Sequence, residues 1–155
     1  MSATHTESYS VGNPTSRRRI VMLHGYTGSA DSFRNLAERL AHTFNARVDA
    51  PLLPGHGTSL CDLQKYSYAE ILDSARSEVQ RARNEGDELV LIGYCMGGIL
   101  AATLAREFKT DALVCALAPF KRRFPFNVRL FAALLHLKTD WPKFILPWEP
   151  KLRQG

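Results

Sequence analysis

The residues with the clearest chemical potential lie in the run Gly93-Tyr94-Cys95-Met96-Gly97-Gly98, which follows the apolar segment 88–92. A buried strand, a tight glycine turn and a helix-forming run then match the pattern G-x-S-x-G, with cysteine at the serine position. Such a turn holds its central side chain exposed, in a strained backbone conformation that requires small neighbours. Because a helix N-terminus stabilises a thiolate, Cys95 is a candidate nucleophile. The alternative is a small buried cysteine in a tight strand–helix joint.

A second motif precedes the first by about seventy residues. The expected strand 20–23 ends in His24-Gly25-Tyr26-Thr27-Gly28-Ser29 and leads into an amphipathic stretch. The glycines let the backbone turn so that the N–H of Tyr26 faces a substrate carbonyl, and the N–H of Met96 would be the second donor. A His-Gly dipeptide after a strand is a common turn, but two such strand–loop–helix units support each other. We therefore expect Cys95 as nucleophile, Tyr26 and Met96 as oxyanion donors, and substrate binding beside His24, Gly25 and Gly97.

From about Ile20 to Pro119 the chain resembles the α/β-hydrolase family. The segments L-H-G-Y-T-G (23–28) and A-P-L-L-P-G-H-G (50–57) look like those of carboxylesterases and monoacylglycerol lipases. The elbow around Cys95 is more similar to dienelactone hydrolases and polyhydroxyalkanoate synthases, which carry a cysteine nucleophile. The resemblance implies cleavage of a small acyl ester or thioester, or a monoacylglycerol-like substrate, through an acyl-Cys95 intermediate without metal or cofactor. An acyltransferase of the synthase type and a non-catalytic hydrolase-fold protein are the alternatives.

Composition excludes several other classes. With 155 residues, 45% of them hydrophobic, the chain is long enough for one domain with a real core. No run of about 20 apolar residues predicts a transmembrane helix, and residues 1–15 lack the apolar region of a secretory signal. Three cysteines without metal-ligand spacing suit a reduced, cytoplasmic setting. The net charge of +5 arises in residues 121–155, and with no recognisable basic module we expect no nucleic-acid partner.

Strand and helix patterns alternate along the chain. This predicts an α/β fold of three layers, with a mostly parallel sheet of four or five strands and right-handed crossovers. Strands are expected at 20–23, 47–50, 89–92 and 113–117, and less clearly at the sheet edge within 7–12. Helices are expected at 31–44, 68–85, 98–108 and 127–137. The implied organisation is a flexible segment or edge strand (1–19), a hydrolase-like core (20–119) and the beginning of a cap or lid (120–155).

The composition of the sequence changes after Pro119. Residues 120–155 combine apolar and aromatic positions with eight Lys or Arg residues against two acidic ones. In the esterases that this chain resembles, a cap that lines the acyl pocket is inserted at this point. The helical spacing within 127–137 and its basic flanks also suit contact with an anionic lipid surface. An ordinary amphipathic helix packed on the sheet is the third interpretation.

The expected partners of the nucleophile do not follow it. Chain order in this fold is nucleophile, acid, histidine, whereas the only histidine after Cys95 is His136, and Asp140 comes after it. His24 belongs to the oxyanion turn and His56 to the P-G-H-G turn, so we expect neither to be the general base. Loss of the base lowers turnover by orders of magnitude. We therefore expect an incomplete, N-terminal portion of the fold with little or no activity; a half-enzyme completed by a second polypeptide and a non-catalytic relative stay open.

Overall fold

The computed structural model describes residues 7–119, apart from the side chain of Leu60. Five strands form one sheet in the order β1-β3-β2-β4-β5. Only the β1–β3 pairing is antiparallel, and the other three pairings in this part of the chain are parallel. Each expected strand is confirmed to within two residues, and the 7–12 segment does supply an edge strand. The strands are β1 (Tyr9–Gly12), β2 (Arg18–Leu23), β3 (Arg47–Ala50), β4 (Glu88–Tyr94) and β5 (Ala112–Ala116).

The helices differ from the sequence prediction mainly at their ends. The first expected helix is divided into a 3-10 turn, Ala30–Phe33, and helix α1, Arg34–Phe44. A short helix α2 (Leu60–Leu63) was not predicted, because four residues are too few to show periodicity. The remaining helices are α3 (Tyr68–Glu85) and α4 (Met96–Glu107). None of the helices within 7–119 is long and apolar enough to cross a membrane. The predicted helix 127–137 and the expected cap or lipid contact of 120–155 lie outside the described residues.

Helices cover both faces of the sheet, and successive side chains of β2 pack alternately against the helices on one face and the other. Val21 and Leu23 pack with α3 and α4 in one hydrophobic cluster, whereas Ile20 and Met22 pack with α1 in the other. Side chains of a strand point to opposite faces in turn, so a strand buried on both sides reads as a continuous apolar run. The predicted three-layer α/β architecture is therefore confirmed.

Strand β5 ends the sheet in the described part of the chain. Its side chains are more open than those of the inner strands, with Leu113 42% and Val114 49% exposed. The backbone leaves the strand at Leu117, whose φ of +52° lies in the left-handed region. Within residues 7–119, β5 therefore forms an apolar edge of the sheet. An uncharged edge of this kind is a liability for a solitary sheet.

Candidate active site

Cys95 stands at the junction between β4 and α4. It is the residue before the first helical turn, and its backbone has φ +52° and ψ −115°. Non-glycine residues adopt such a conformation only when their surroundings hold them in it. The Cys95 N–H donates to the Ala116 carbonyl at 2.9 Å, and the Gly98 N–H donates to the Cys95 carbonyl at 3.0 Å. Strand β5 and the first turn of α4 therefore hold the strained residue from both sides.

The glycines around Cys95 are required by close backbone contacts. A Cβ atom added to Gly93 would lie 2.2 Å from the Gly97 carbonyl oxygen. A Cβ atom added to Gly97 would lie 2.0 Å from the Leu23 carbonyl oxygen. Both distances are far shorter than any van der Waals contact, so no side chain fits at either position. The turn therefore requires small residues at Gly93 and Gly97, as the sequence predicts. Gly97 also brings α4 into backbone contact with the end of β2.

The two predicted loops meet at one edge of the sheet. Strands β2 and β4 are parallel neighbours, and Leu23 lies opposite Gly93 in their register. The loops that follow these strands therefore leave from the same end. Gly25 sits directly against the turn, because a Cβ atom added to it would lie 3.2 Å from the Cys95 Cβ and 3.2 Å from the Tyr94 Cδ1.

Two backbone donors in these loops are unused. Among residues 7–119, neither the Tyr26 N–H nor the Met96 N–H donates a hydrogen bond to the protein. The Tyr26 loop is closed by a turn in which the Gly28 N–H donates to the Gly25 carbonyl at 3.0 Å. Met96 packs partly against the hydrophobic cluster below α4. Unused N–H groups in two loops that meet at a strand–helix turn are of the kind that can bind a carbonyl oxygen.

His24 is a buried part of the loop scaffold. Its Nδ1 lies 3.0 Å from the Gly25 carbonyl oxygen, and its Nε2 accepts from the Leu53 N–H at 3.1 Å. Because a carbonyl only accepts, Nδ1 carries the proton and the ring is neutral. Burial lowers the pKa of His24 to about 4, against a backbone hydrogen bond that acts in the opposite direction. His24 thus connects the loop after β2 to the loop after β3.

No general base lies beside the thiol in the region the structure describes. The Cys95 sulfur receives no hydrogen bond from a histidine of residues 7–119; His56 instead places its Nδ1 2.9 Å from the Pro54 carbonyl oxygen. Glu107 is engaged by Arg76 at 2.6 Å, and Asp111 accepts from the Leu89 N–H at 2.8 Å. His136 and Asp140 are outside the described residues.

The other two cysteines are not equivalent to Cys95. Cys61 is exposed in α2. Cys115 on β5 is half-buried; its thiol donates to the Gly98 carbonyl at 3.4 Å, and burial raises the pKa of that thiol. Residues 7–119 contain no group of three His, Cys, Asp or Glu side chains arranged to hold a metal ion.

Sequence reasoning missed one neighbour of this site. The ring of His56 lies 4.8 Å from the ring of His24 and 6.3 Å from the ring of Tyr26, measured between centroids. The P-G-H-G pattern marked His56 as part of a turn. Its position beside the Tyr26 loop depends on how β3 pairs with β2, which the motif alone does not reveal.

The arrangement of the two loops agrees with a comparison against known families. Residues 20–154 match the model of the Alpha/beta hydrolase family. The chain belongs to this family. The predicted fold and family are confirmed, whereas the likeness of the elbow to dienelactone hydrolases stays a prediction.

Relatives within the alpha/beta hydrolase family include lipolytic enzymes. The chain is 30% identical over 100 residues to the thermostable monoacylglycerol lipase of Bacillus sp. (strain H-257), and 38% identical over 71 residues to an uncharacterized hydrolase of Saccharomyces cerevisiae. These regions are 64% and 45% of this chain. The chain spans only 38% and 22% of the lengths of these two curated relatives.

Solved structures show the same fold. A metagenome-derived lipolytic enzyme, from work on LipS and LipT, aligns with a TM-score of 0.71 and 26% identity, over 88% of this chain and 54% of its own. A thioesterase domain from the curacin biosynthetic pathway aligns with a TM-score of 0.65 and 26% identity, over 83% and 46%. The monoacylglycerol lipase of Paleococcus ferrophilus aligns with a TM-score of 0.63 and 22% identity, over 85% and 51%.

Proposed function

We propose that Cys95 is the nucleophile of a hydrolase that cleaves carboxylic ester or thioester bonds. The observation that carries this proposal is the strained Cys95 at the start of α4, in contact with the Gly25 turn. This conformation costs free energy, and a purely structural cysteine would gain nothing from it. A strand–turn–helix joint that exposes a small reactive side chain is what nucleophilic acyl transfer requires.

The oxyanion would be bound by backbone groups. In this proposal the Tyr26 and Met96 N–H groups, which are unused within 7–119, donate to the carbonyl oxygen as negative charge develops on it. Preorganised donors of this type contribute most when they are fixed before the substrate arrives. Gly25 and Gly97 contribute by the absence of a side chain, since Gly25 lies against the turn that carries Cys95 and Gly97 lies against the backbone at the end of β2.

The chemistry proceeds in two steps. The Cys95 thiolate attacks the carbonyl carbon, a C–S bond forms, and the carbonyl electron pair moves to oxygen. Collapse of this intermediate breaks the bond to the leaving alcohol or thiol, which departs with its electron pair and takes a proton from solvent. Water then attacks the thioester, releases the carboxylic acid and restores the thiol.

We propose that the second step is slow in this chain. No histidine of residues 7–119 hydrogen-bonds Cys95, so nothing there activates the attacking water. General base catalysis typically contributes a factor of about 10² to 10⁴. Activated esters, whose leaving group needs no proton, would therefore acylate Cys95 and leave the acyl group in place.

The relatives support the ester and thioester classes without selecting between them. A monoacylglycerol lipase, lipolytic enzymes and a thioesterase domain all occur among them. We propose a small acyl ester, thioester or monoacylglycerol-like compound as substrate, and a reduced compartment such as the cytoplasm, where a free thiol persists.

The test is mass spectrometry of the chain after incubation with p-nitrophenyl acetate. We expect one acetyl group on the Cys95 peptide, appearing together with released p-nitrophenolate. Cys61→Ala should retain the adduct, and Cys95→Ala should lose it. An adduct that persists in Cys95→Ala, or no adduct on the wild type, would refute the nucleophile.

A cysteine elbow also fits acyl transfer to a hydroxyl acceptor. A hydroxyacyl-coenzyme A would then yield oligomers rather than free acid, with water excluded from the acyl-enzyme. Product analysis with this donor separates the two classes, because both share the acyl-Cys95 step and differ only in what attacks it.

A further inference from the structure

His56 occupies a turn built to carry it inward. The two glycines beside it, Gly55 and Gly57, have φ values of +74° and +77°. Only glycine adopts this region without strain, so the P-G-H-G sequence fixes a local shape. A Cβ atom added to Gly55 would lie 2.7 Å from the Tyr66 ring and 2.9 Å from the Asp62 carbonyl oxygen. The turn is therefore locked against α2, and it leaves the His56 side chain only 5% exposed.

The hydrogen bonding of His56 uses one nitrogen. Nδ1 lies 2.9 Å from the Pro54 carbonyl oxygen, and because a carbonyl only accepts, Nδ1 is the protonated nitrogen. Nε2 is buried and has no hydrogen-bond partner among the described residues. A buried unpaired polar atom costs about 1 to 3 kcal/mol. An imidazole at this position is therefore retained at a cost to stability.

The ring of His56 packs against the ring of Tyr26. It meets the Tyr26 ring edge to face, with an interplanar angle of 88° and 6.3 Å between centroids. Its centroid also lies 4.8 Å from that of the His24 ring. Edge-to-face pairs are favourable at centroid distances of about 4.5 to 7 Å. Tyr26 is otherwise poorly held, since it is 38% exposed and its N–H makes no hydrogen bond within 7–119.

We propose that His56 is a positioning residue for the backbone N–H of Tyr26. The role rests on the oxyanion function proposed above, and it assigns a purpose to the P-G-H-G motif. In this role His56 acts through the Tyr26 side chain rather than on the substrate. Its ring limits the movement of the Tyr26 side chain and thereby fixes the direction of the adjacent N–H. Fixed donors stabilise an oxyanion better than mobile ones, because no reorganisation is needed during the reaction.

The test compares two reactions of the same thiol. Acetylation of Cys95 by p-nitrophenyl acetate passes through an oxyanion, whereas alkylation by iodoacetamide is a direct displacement and does not. Dividing the acetylation rate by the alkylation rate removes differences in thiol ionisation and access. Because unfolding would also remove the oxyanion donors and lower the ratio, each variant is compared only where circular dichroism shows that it is folded, and there the ratio reports on the donors. Peptide mass spectrometry on the full chain assigns each rate to Cys95.

Two substitutions at position 56 separate the ring from the hydrogen bond. His56→Asn keeps an N–H that can donate to the Pro54 carbonyl but removes the ring, and we expect the ratio to fall about three- to tenfold, the range that an edge-to-face contact supplies. His56→Phe keeps the ring and removes the donor, and the ratio should stay within about twofold of the wild type. An unchanged ratio in His56→Asn, or a fall in His56→Phe alone, would overturn the proposal.

Substitutions at position 26 test the same contact from the other side, and they keep the test decisive if a position 56 variant does not fold. Tyr26→Ala retains the backbone N–H and should lower the ratio as His56→Asn does. The double variant should be no worse than either single one, because both remove the same contact. A normal ratio in Tyr26→Ala overturns the positioning role while Cys95 still acylates. A wild type that is alkylated but never acylated overturns the acyl-enzyme proposal as well.

Discussion

Gly97, in the first turn of α4, lies so close to Leu23, the last residue of β2, that a Cβ atom at position 97 would be 2.0 Å from the Leu23 carbonyl oxygen. A carbonyl oxygen of the sheet cannot yield without breaking the β2–β4 pairing. The helix that follows the candidate nucleophile is thus held in place by backbone contact with β2, the strand that precedes Gly25 and Tyr26.

Gly97→Ala should therefore destabilise the fold strongly. We expect a loss of about 3 kcal/mol or more in the free energy of unfolding, since overpacking against backbone finds no relief in a rotamer change. Urea denaturation followed by circular dichroism measures this loss. Gly28→Ala is the matched control, because a Cβ atom there meets its neighbours at 3.4 Å or more. Equal stability of the two variants would contradict the contact.

Gly25→Ala should affect acylation more than stability. The added Cβ atom would lie 3.2 Å from the Cys95 Cβ and 3.2 Å from the Tyr94 Cδ1, so these neighbours would have to move by a few tenths of an ångström. We expect about 1 kcal/mol of destabilisation, together with a lower ratio of Cys95 acetylation to alkylation. The measurement is the rate ratio defined above, with Gly28→Ala again as control. A ratio equal to that of the wild type would show that the two loops do not act together.

Cys115 should be the slowest of the three thiols toward iodoacetamide in the folded chain. Burial raises the pKa of its thiol, and its S–H is engaged by the Gly98 carbonyl. Only the thiolate reacts, so a raised pKa slows alkylation at neutral pH. Timed alkylation with peptide mass spectrometry compares it with the exposed Cys61. In concentrated urea the difference should disappear, and a Cys115 that reacts as fast as Cys61 without urea would contradict the burial.

Stability should rise with pH between about 4 and 6.5 because of His24. Burial lowers its pKa from the ordinary value of 6.5 to about 4, so the unfolded chain binds the proton more readily across this window. Preferential protonation of the unfolded chain destabilises the fold. This destabilisation is fully present below pH 4, where it amounts to about 3 kcal/mol, shrinks as pH rises, and vanishes above 6.5. Chemical denaturation at several pH values measures it.

The variant His24→Asn isolates this contribution. Asn keeps a donor for the Gly25 carbonyl and cannot titrate, so the difference in unfolding free energy between wild type and variant should carry the pH dependence. His42→Asn, at an exposed position on α1, controls for the removal of an imidazole. A difference that is constant from pH 4 to 7 would mean that His24 takes up its proton without cost.

Local sequence patterns predicted the positions of most strands and helices. They did not predict the contacts that depend on how distant segments pair in the fold. Strand β4 and the turn at Cys95 follow from an apolar run and three glycines, so their positions could be read directly. The division of the first helix at Arg34 could not, since its apolar spacing continues through the 3-10 turn. The contact between His56 and Tyr26 joins loops after two different strands, and only the β2–β3 register brings them together.

The pairing of Leu23 with Gly93 joins residues 70 positions apart in the sequence. Contacts of such long range close late, because the intervening chain loses much of its freedom when they form. The Gly25 turn and the turn at Cys95 therefore come into contact late in folding, after α1, β3 and α3, which lie between them in the sequence. Selective acetylation of Cys95 would then report on the last step of folding. During refolding from urea, this reactivity should return together with the last cooperative phase and not with the first gain of helix.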